Sequence, residues 1–480
     1  MLILRVGTFP RAARAGVALA AVLAAGLALP PAAALAGRVE IAGRAGKSYG
    51  TIGQALAAAR DGDTVVVAPG IYREQLLVNK RVSLVGNDLP TIVSPGPAPT
   101  VALAVDGISI QGFRLVGKGH RLGNEAILLV ASSGNLIQDN TLEGELFGIY
   151  LREAHGNTIR HNLVQGNPRV LVHDRGNGIH LANSHGNRLQ DNYLESVRDG
   201  IYVQFSNDNL ITGNTVVSSR IGLHYMYSDN NHFEANTFYG NAVGGAIMYS
   251  RRITLAGNLF RGSTGPSGYG LLLKDCADSL GTDNVMAGNT VGIFLDLARL
   301  NTMAGNVISG NHVGVEINAS SEGNLFTGNT FAGNGEDVRL SPGRHRNSWD
   351  DGHRGNFWSS YRGYDLDADG LGDVPHRAGS LFGYLAGKAP EVNLLAGSPA
   401  LHALSVAERA LPVLDVPVAE DHHPLMSPLS PRYTKPSALP LSSSGKGSGP
   451  RLLMALASAA LALTPVTPLF PVRRRRGQAR

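Results

Sequence analysis

Two methionines and a histidine on neighbouring repeats of this chain are the side chains best suited to binding a soft metal ion. Met226 and Met248 are 22 residues apart, and His224 precedes Met226 by two positions. If the repeats stack as strands, both thioethers fall in one outward column, with the imidazole about 7 Å from Met226 by Cα. Thioether and imidazole together are soft ligands suited to Cu(I). An adaptable apolar patch that docks a partner without metal is the alternative.

Four aspartates near the end of the repeat region have the spacing of a calcium loop. Positions 1, 3, 5 and 9 of such a loop carry carboxylates, here Asp365, Asp367, Asp369 and Asp373. Position 6 is Gly370, as the loop requires. Position 12 is His376 instead of an acidic residue, so Ca²⁺ would need a backbone oxygen or water as a further ligand. The alternative is an Asp-rich turn that holds no metal.

A sequence motif that recurs about every 22 residues determines which of these side chains lie on the same face of the fold. Its Asn recurs at Asn140, Asn162, Asn192, Asn214, Asn236, Asn258, Asn284, Asn306 and Asn329. A fixed period of this size is typical of stacked repeats, and short apolar alternations broken by Gly and Asn are typical of strands. The sequence therefore predicts an all-β fold, a right-handed parallel β-helix with about 22 residues per coil.

The repeat also sorts residues into columns. The predicted inward positions are Ile149/Leu151, Ile179/Leu181, Ile201/Val203, Leu223/Tyr225, Leu271/Leu273, Ile293/Leu295 and Val315/Ile317. One outward column runs through Tyr150, His180, Tyr202, His224, Ala246, Leu272, Phe294 and Glu316. Asn tolerates left-handed turn positions, bonds the backbone and can form amide ladders, so we expect the Asn column to be structural.

The chain divides into five predicted segments. Residues 1–36 have a basic start, an apolar stretch and a small-x-small cleavage site, which indicates a signal peptide and export. Residues 37–344 are the β-helix, and the helical spacing of residues 51–59 predicts a cap on its open end. Residues 345–436 form an irregular extension that holds the Asp-rich loop and both tryptophans, which we expect outside the solenoid.

The last two segments bear on localisation. Residues 437–451 are a Ser- and Gly-rich flexible linker. Residues 452–480 begin with 21 apolar residues and end in a basic tail, which suits a membrane tether with its basic end in the cytoplasm. Three prolines would break a helix after about 13 residues. A membrane anchor and a processed sorting tail are both compatible with this segment in an exported protein.

The formal charge of +5 is carried by the two ends of the chain. Removing the three arginines of residues 1–36 and the five of residues 473–480 leaves −3 for residues 37–472. Such a body is a poor nucleic-acid binder, so no nucleic-acid partner is expected. The single cysteine, Cys276, excludes an internal disulfide. Cys276 is either a further soft ligand or a small residue packed in the core, and the packed position is the expectation.

Enzymes built from stacked strands commonly act on acidic polysaccharides. Such chemistry needs paired carboxylates, or a metal with a basic group, in a groove lined with aromatic side chains. The repeat region carries one compact acid–base cluster, His173/Asp174/Arg175, inside an insertion that it could simply order. The outward columns show no stacked acidic pair, so we expect no enzyme. A polyuronate lyase or epimerase and a metal-free docking scaffold are the alternative functions.

Long stretches of the sequence resemble the NosD family. They are Arg220–Asp229 (RIGLHYMYSD), Ala246–Ser250 (AIMYS), Gly270–Asp275 (GLLLKD), Gly355–Pro375 (GNFWSSYRGYDLDADGLGDVP) and Asp421–Met426 (DHHPLM). The likeness covers roughly residues 40–428 and is far more specific than a generic solenoid repeat. Its departures are the Ser-rich linker and the basic apolar tail.

What the resemblance implies is copper assembly. NosD-like proteins are periplasmic β-helical proteins that help nitrous oxide reductase to mature. They work with an ABC permease and ATPase and with a copper-chaperone lipoprotein, and they assist copper delivery to the apo-reductase. His224, Met226 and Met248 lie inside two of the matching stretches, although the resemblance itself does not identify the ligands.

Overall fold

The chain winds into a long stack of parallel strands in the computed structural model. The structure describes residues 38–379, apart from 45–46, 118–122 and 145, together with 418–429 and the isolated positions 385, 391–392 and 398–399. Within these residues, three sheets of 14, 13 and 12 strands form the faces of a solenoid. The predicted all-β parallel β-helix is confirmed.

Each coil passes through sheet A, sheet B and sheet C in turn. Sheet A contains Ser48–Tyr49, Val39–Ile41, Thr64–Val67, Ser83–Gly86, Ser109–Gln111, Leu136–Gln138, Thr158–Arg160, Arg188–Gln190, Leu210–Thr212, His232–Glu234, Thr254–Ala256, Leu280–Thr282, Thr302–Ala304 and Leu325–Thr327. Sheet B contains Ile71–Tyr72, Thr91–Val93, Arg114–Val116, Thr141–Glu143, Leu163–Gln165, Tyr193–Glu195, Thr215–Val217, Thr237–Tyr239, Leu259–Arg261, Val285–Ala287, Val307–Ser309, Thr330–Ala332 and Phe357–Trp358. Sheet C contains Leu76–Val78, Val101–Leu103, Glu125–Val130, Phe147–Arg152, Ile179–Ala182, Asp199–Gln204, Ile221–Met226, Val243–Arg251, Tyr269–Ala277, Val291–Asp296, Val313–Ile317 and Glu336–Leu340.

Apolar side chains fill the interior at the predicted inward positions. Ile149, Leu151, Ile201 and Val203 are fully buried, and the other predicted inward residues are equally inaccessible. Parallel pairing keeps each residue above its equivalent one coil earlier, as in the pair Ile201 and Leu223. The period of the sequence is therefore also the register of the sheets.

The Asn column forms the predicted ladder. The side-chain amide of Asn214 donates to the Oδ1 of Asn236 at 3.0 Å, and the same oxygen accepts the backbone N–H of Asn214 at 2.9 Å. At each of these turns the left-handed backbone conformation belongs to the residue just before the ladder Asn, such as Asp191 and Ala235, and not to the ladder Asn itself. The ladder Asn side chains are buried, and their role is to satisfy backbone groups of the turn.

The amino-terminal end of the solenoid is covered by one helix and an antiparallel strand. The helix Ile52–Ala58 begins at Thr51, whose hydroxyl accepts the backbone N–H of Gln54, and it buries Ile52, Ala55 and Leu56 in the core. Val39–Ile41 pairs antiparallel with Thr64–Val67. The predicted cap is present and protects the first sheet edge.

The carboxyl-terminal end is closed by aromatic rings, which corrects the expectation that both tryptophans lie outside the solenoid. Trp358 extends sheet B beside Phe331, and their ring centroids are 4.2 Å apart. Trp349 stacks on Phe326 at 4.5 Å. Both indoles are buried. An open solenoid end exposes core rings, and the large indoles cover them, so the core continues past residue 344.

Described residues beyond this closure form a small two-stranded antiparallel sheet and a closing segment. His376–Ala378 pairs antiparallel with Ala419–Asp421. Residues 418–429 then lie against the solenoid end, where the buried Asp421 carboxylate accepts hydrogen bonds from the indole of Trp358 and the backbone of Asn356. Among the described residues, no helix combines the length and the apolar character needed to cross a membrane. The predicted signal peptide 1–36, linker 437–451 and apolar segment 452–480 lie outside the described residues.

Candidate functional site

The outer face of sheet C brings together the three predicted soft side chains. The strands Ile221–Met226 and Val243–Arg251 pair in parallel, which places Met226 directly beside Met248 and His224 beside Ala246. His224, Met226 and Met248 are all partly exposed, whereas the intervening Tyr225 is buried in the core. We call these three residues the soft-ligand face. Alternation along a strand is sufficient to point them outward together.

An aromatic stack leads up to this face along the predicted outward column. Tyr150, His180, Tyr202 and His224 follow one another, with ring centroids 4.6, 4.5 and 4.4 Å apart. The stack stops at Ala246, which has no ring. The phenol of Tyr202 also donates to the sulfur of Met226, with a distance of 3.9 Å from Oη to Sδ. The stack therefore fixes one side of the His224 ring and contacts a neighbouring thioether.

A buried carboxylate contacts the Nδ1 atom of the His224 ring. The Nδ1 atom of His224 lies 3.1 Å from Oδ2 of Asp199, whose side chain is fully buried. Arg220 donates to both oxygens of Asp199 at 2.8 and 2.7 Å. Burial alone would raise the pKa of Asp199, but the hydrogen bonds from His224 and Arg220 bring it below its ordinary value. The carboxylate is thus ionised at neutral pH.

His180, two rungs earlier, has a different environment. Burial, with a smaller contribution from the charge of Arg198, lowers the pKa of His180 to about 4. Its Nε2 atom is buried without a hydrogen-bond partner. At neutral pH the ring is therefore an uncharged spacer between Tyr150 and Tyr202, and it is not presented as a ligand.

A second stack of exposed aromatic rings borders the soft-ligand face and was missed from the sequence. Phe205, Tyr227 and Tyr249 each follow an outward residue of sheet C at the corner of the coil, with ring centroids 5.2 and 4.9 Å apart. All three have left-handed backbones, with φ of 49°, 50° and 54°. Bulky residues rarely adopt this conformation. Their 22-residue spacing was the available signal.

Cys276 is a packed core residue, as expected. It lies in the strand Tyr269–Ala277, is 1% exposed, and its thiol donates to the carbonyl of Ile247 at 3.2 Å. Burial raises the pKa of the Cys276 thiol to about 12. A protonated and inaccessible thiol offers no ligand to the outer face.

The aspartates of the predicted calcium loop lie close together. Carboxylate oxygens of Asp365, Asp367 and Asp369 lie within 4.8 Å of one another. The carboxylate of Asp373 accepts the backbone N–H of Leu366 at 2.6 Å, on the other side of the loop. The structure thus gathers three of the four predicted carboxylates at one point, on an exposed turn.

The position-12 residue, His376, faces away from that loop. Its ring packs on Trp358 with centroids 4.9 Å apart, and burial lowers its pKa to about 4. The loop itself contacts the closing segment, since Gly372 N–H donates to the carbonyl of Pro424 and Met426 N–H to that of Gly370. A calcium ion in the loop would therefore draw its remaining ligands from backbone oxygen or water.

The cluster His173/Asp174/Arg175 orders the insertion between sheets B and C. Arg175 donates to the backbone carbonyls of Val170, Pro168 and Ser196. His173 and Asp174 are mostly exposed, with the nearest nitrogen and oxygen 3.7 Å apart. Three hydrogen bonds from the arginine hold the loop, and the His173–Asp174 pair lies on its exposed surface.

Comparisons with known proteins agree with the motifs. The family described as "Periplasmic copper-binding protein (NosD)" matches residues 167–363. A relative from Pseudomonas aeruginosa, described as a probable ABC transporter binding protein NosD, is 39% identical over 75% of this chain and 87% of its own length. One from Stutzerimonas stutzeri with the same description is 37% identical over 74% of this chain and 85% of its own.

Solved structures match this chain at low sequence identity. The A-module of the mannuronan C-5 epimerase AlgE4 from Azotobacter vinelandii matches 61% of this chain and 92% of its own, with a TM-score of 0.49 and 18% identity. The Dettilon tailspike protein matches 57% of this chain and 61% of its own, with a TM-score of 0.47 and 16% identity. From the long, well-covered sequence matches to the two curated relatives, the chain belongs to the NosD family.

Proposed function

We propose that this protein is a periplasmic accessory protein that assists copper delivery to nitrous oxide reductase. Support comes from its family, whose description names periplasmic copper binding, and from relatives described as ABC transporter binding proteins. In this proposal the partners are an ABC permease and ATPase, a copper-chaperone lipoprotein and the apo-reductase. The chain holds and passes on copper and performs no catalytic step.

The observation that carries the proposal is the pairing of Met226 with Met248 beside His224 on one outer face. Neighbouring strands are about 4.8 Å apart. A bond from a metal to sulfur of about 2.3 Å, as for zinc thiolates, would set two sulfurs on opposite sides of one ion about 4.6 Å apart. The strand spacing therefore allows one Cu(I) ion to bind both thioethers, and a bent arrangement of the two sulfurs would admit the imidazole as a third donor.

Partial exposure of these ligands suits transfer better than storage. All three side chains are reached by solvent, so a partner's soft ligand can bind the ion before a ligand of this chain leaves. Exchange by such overlapping coordination avoids a free ion at any stage. ATP-driven movement of the membrane partners would then control docking and release.

Titration of the purified protein with Cu(I) against a chromogenic chelator tests the proposal. Met226→Leu and Met248→Leu keep an apolar side chain of similar volume and remove only the sulfur. We expect both variants to bind Cu(I) more weakly than the wild type. Met426→Leu is the matched control, because it removes a partly exposed thioether from the closing segment. Wild-type affinity in both face variants would reject the site.

A calcium site at Asp365, Asp367, Asp369 and Asp373 is a second, separate proposal. The clustered carboxylates of the first three residues support it. Isothermal titration with Ca²⁺, compared between the wild type and Asp367→Asn, tests it. We expect the substitution to weaken binding, since hard oxygen ligands of full charge set calcium affinity. Absence of a binding heat in the wild type would leave the loop as an acidic turn.

A further inference from the structure

Three histidines of this solenoid engage the protein through Nδ1, but they differ in whether that nitrogen accepts or donates the hydrogen bond. His155 Nδ1 accepts the backbone N–H of His185 at 3.1 Å, and His185 Nδ1 accepts that of Asn207 at 2.9 Å. A ring nitrogen that accepts a hydrogen bond carries the lone pair, so the proton of a neutral ring is then on Nε2. These two histidines present an N–H group at Nε2 and cannot bind a metal there.

The neutral ring of His224 carries its proton on the other nitrogen, Nδ1. Its Nδ1 lies 3.1 Å from Oδ2 of Asp199, and both oxygens of that carboxylate also accept hydrogen bonds from the Arg220 guanidinium. An ionised carboxylate only accepts hydrogen bonds, so His224 Nδ1 must be the donor. The lone pair of the neutral ring is therefore on Nε2, the nitrogen left for a ligand on the partly exposed outer face.

Asp199 is itself held in place. Two hydrogen bonds from Arg220 fix both of its oxygens, and the Nε atom of Arg198 lies 3.4 Å from Oδ2. On the other side, Tyr202 stacks against the His224 ring at 4.4 Å. The ring is thereby fixed in orientation before any ion arrives, which reduces the ordering cost of binding.

We propose that Asp199 is a positioning residue of the soft-ligand face, which sets the tautomer and orientation of His224 so that Nε2 is presented to Cu(I). This inference rests on the proposed function. A carboxylate on the far nitrogen of a metal-binding imidazole also makes the ligand more basic, and loss of such a partner typically costs about 10–100-fold in metal affinity. Asp199 acts only through the ring and does not contact the ion.

The tautomer can be measured without copper. Two-bond nitrogen–proton correlation NMR of the purified protein, labelled at the histidine ring nitrogens, distinguishes Nδ1–H from Nε2–H rings. The His224 signal is identified by its loss in His224→Gln. We expect an Nδ1–H ring in the wild type and a shift toward Nε2–H in Asp199→Asn. This result for the wild type needs no variant at Asp199, so it holds even if that variant folds poorly.

Copper competition then measures the consequence. We expect Asp199→Asn to bind Cu(I) about 10–100-fold more weakly. Arg220→Met removes the two hydrogen bonds that hold the Asp199 carboxylate in place, so we expect it to weaken Cu(I) binding in the same direction as Asp199→Asn. Asp350→Asn is the matched control, because Asp350 makes the same 3.1 Å contact with His422 Nδ1 on the closing segment. Its affinity should be unchanged.

The outcomes separate the two proposals. An Nε2–H ring for wild-type His224 would overturn the role of Asp199. So would wild-type affinity in Asp199→Asn when His224→Gln binds weakly, and the copper site itself would then stand. Unchanged affinity in His224→Gln, Met226→Leu and Met248→Leu would overturn the copper site and the role of Asp199 with it.

Discussion

Removing one rung of the Asn ladder should destabilise the solenoid far more than the loss of one polar side chain normally does. Asn236 lies in the middle of the ladder and is fully buried. Its amide donates to the carbonyl of Ile211 at 2.8 Å and to Oδ1 of Asn258 at 3.0 Å. Its own oxygen accepts the backbone and side-chain N–H groups of Asn214. Asn236→Ala deletes all four bonds.

The expected cost follows from what remains buried. A net contribution of about 0.5–1.5 kcal/mol applies to each hydrogen bond, and a buried N–H left without a partner costs about 1–3 kcal/mol. The backbone N–H of Asn214 is left in that state, because the ladder oxygen was its acceptor and Asn214 is fully buried. The other groups keep part of their bonding. Together these losses lower the free energy of unfolding by roughly 3–5 kcal/mol.

Urea denaturation followed by circular dichroism measures this loss, and native-state hydrogen exchange locates it. Asn207→Ala is the matched control. Asn207 is half-buried, and its side chain accepts one hydrogen bond, from the backbone of Asp229 at 2.8 Å. We expect a cost of about 1 kcal/mol there. If the two variants lose the same stability, or if Asn236→Ala loses less than about 1 kcal/mol, the ladder is not what holds the turns.

Three further predictions concern buried or strained groups. The pKa of His180 is lowered to about 4 in the folded chain, so as the pH drops from about 6.5 toward 4 this histidine is protonated in the unfolded chain but not in the folded one. The free energy of unfolding therefore falls over this pH range. His180→Phe keeps a ring in the stack and should remove about 3 kcal/mol of that acid sensitivity, measured by urea denaturation at pH 7 and pH 4; an unchanged pH profile would contradict the assignment. The Cys276 thiol, buried and with its pKa raised to about 12, should resist iodoacetamide at pH 8 until urea unfolds the chain, and rapid alkylation of the native protein would contradict its burial. Tyr249→Asn relieves a left-handed backbone and loses the ring stack on Tyr227, two effects of about 1 kcal/mol each, so its melting temperature should change little; a large drop would show that the fold needs the ring.

The sequence predicted the columns of this protein because its period is the register of its sheets. Met226 and Met248 could be placed side by side from a spacing of 22 residues, and the pairing of their strands agrees. The same reasoning ordered the stack from Tyr150 to His224. When parallel strands repeat in register, the position of a residue in one coil determines which residue lies beside it in the next coil, so counting residues is enough to find its neighbour.

The contact between Asp199 and His224 could not be found by counting residues, because it joins two different columns of neighbouring coils. Asp199 lies 25 residues before His224, not 22, at the start of the strand Asp199–Gln204, where its register partner is Ile221. Its carboxylate reaches across to the next rung. Side-chain reach between columns depends on the bend of the backbone at each strand end, which periodicity does not encode. The tautomer of His224 was therefore invisible in the sequence.

The tryptophans at the end of the solenoid were misplaced for a related reason. Residues 355–358 read Gly-Asn-Phe-Trp, which is the repeat phrase with a larger spacing. In the structure Asn356 continues the ladder, with the amide of Asn329 donating to its Oδ1 at 2.8 Å. The signal was present, and the same column carries Phe331 and Phe260 in earlier coils, but the longer spacing concealed it. A terminal coil needs a ring there because no further coil covers it.

The two insertions of the solenoid bear on where a partner approaches. The 30-residue and 26-residue steps place their extra residues at the same corner, between sheets B and C, at residues 166–178 and 262–268. These loops enter sheet C on the rungs of His180 and Leu272. Tyr202, His224 and Ala246 occupy the three rungs between them. Insertions in repeat proteins are tolerated at corners, where they leave the core intact, and they commonly gather on the binding face. If a partner docks on the soft-ligand face as proposed, these two loops border its approach at one corner, and the exposed rings of Tyr227 and Tyr249 border it at the opposite edge of sheet C.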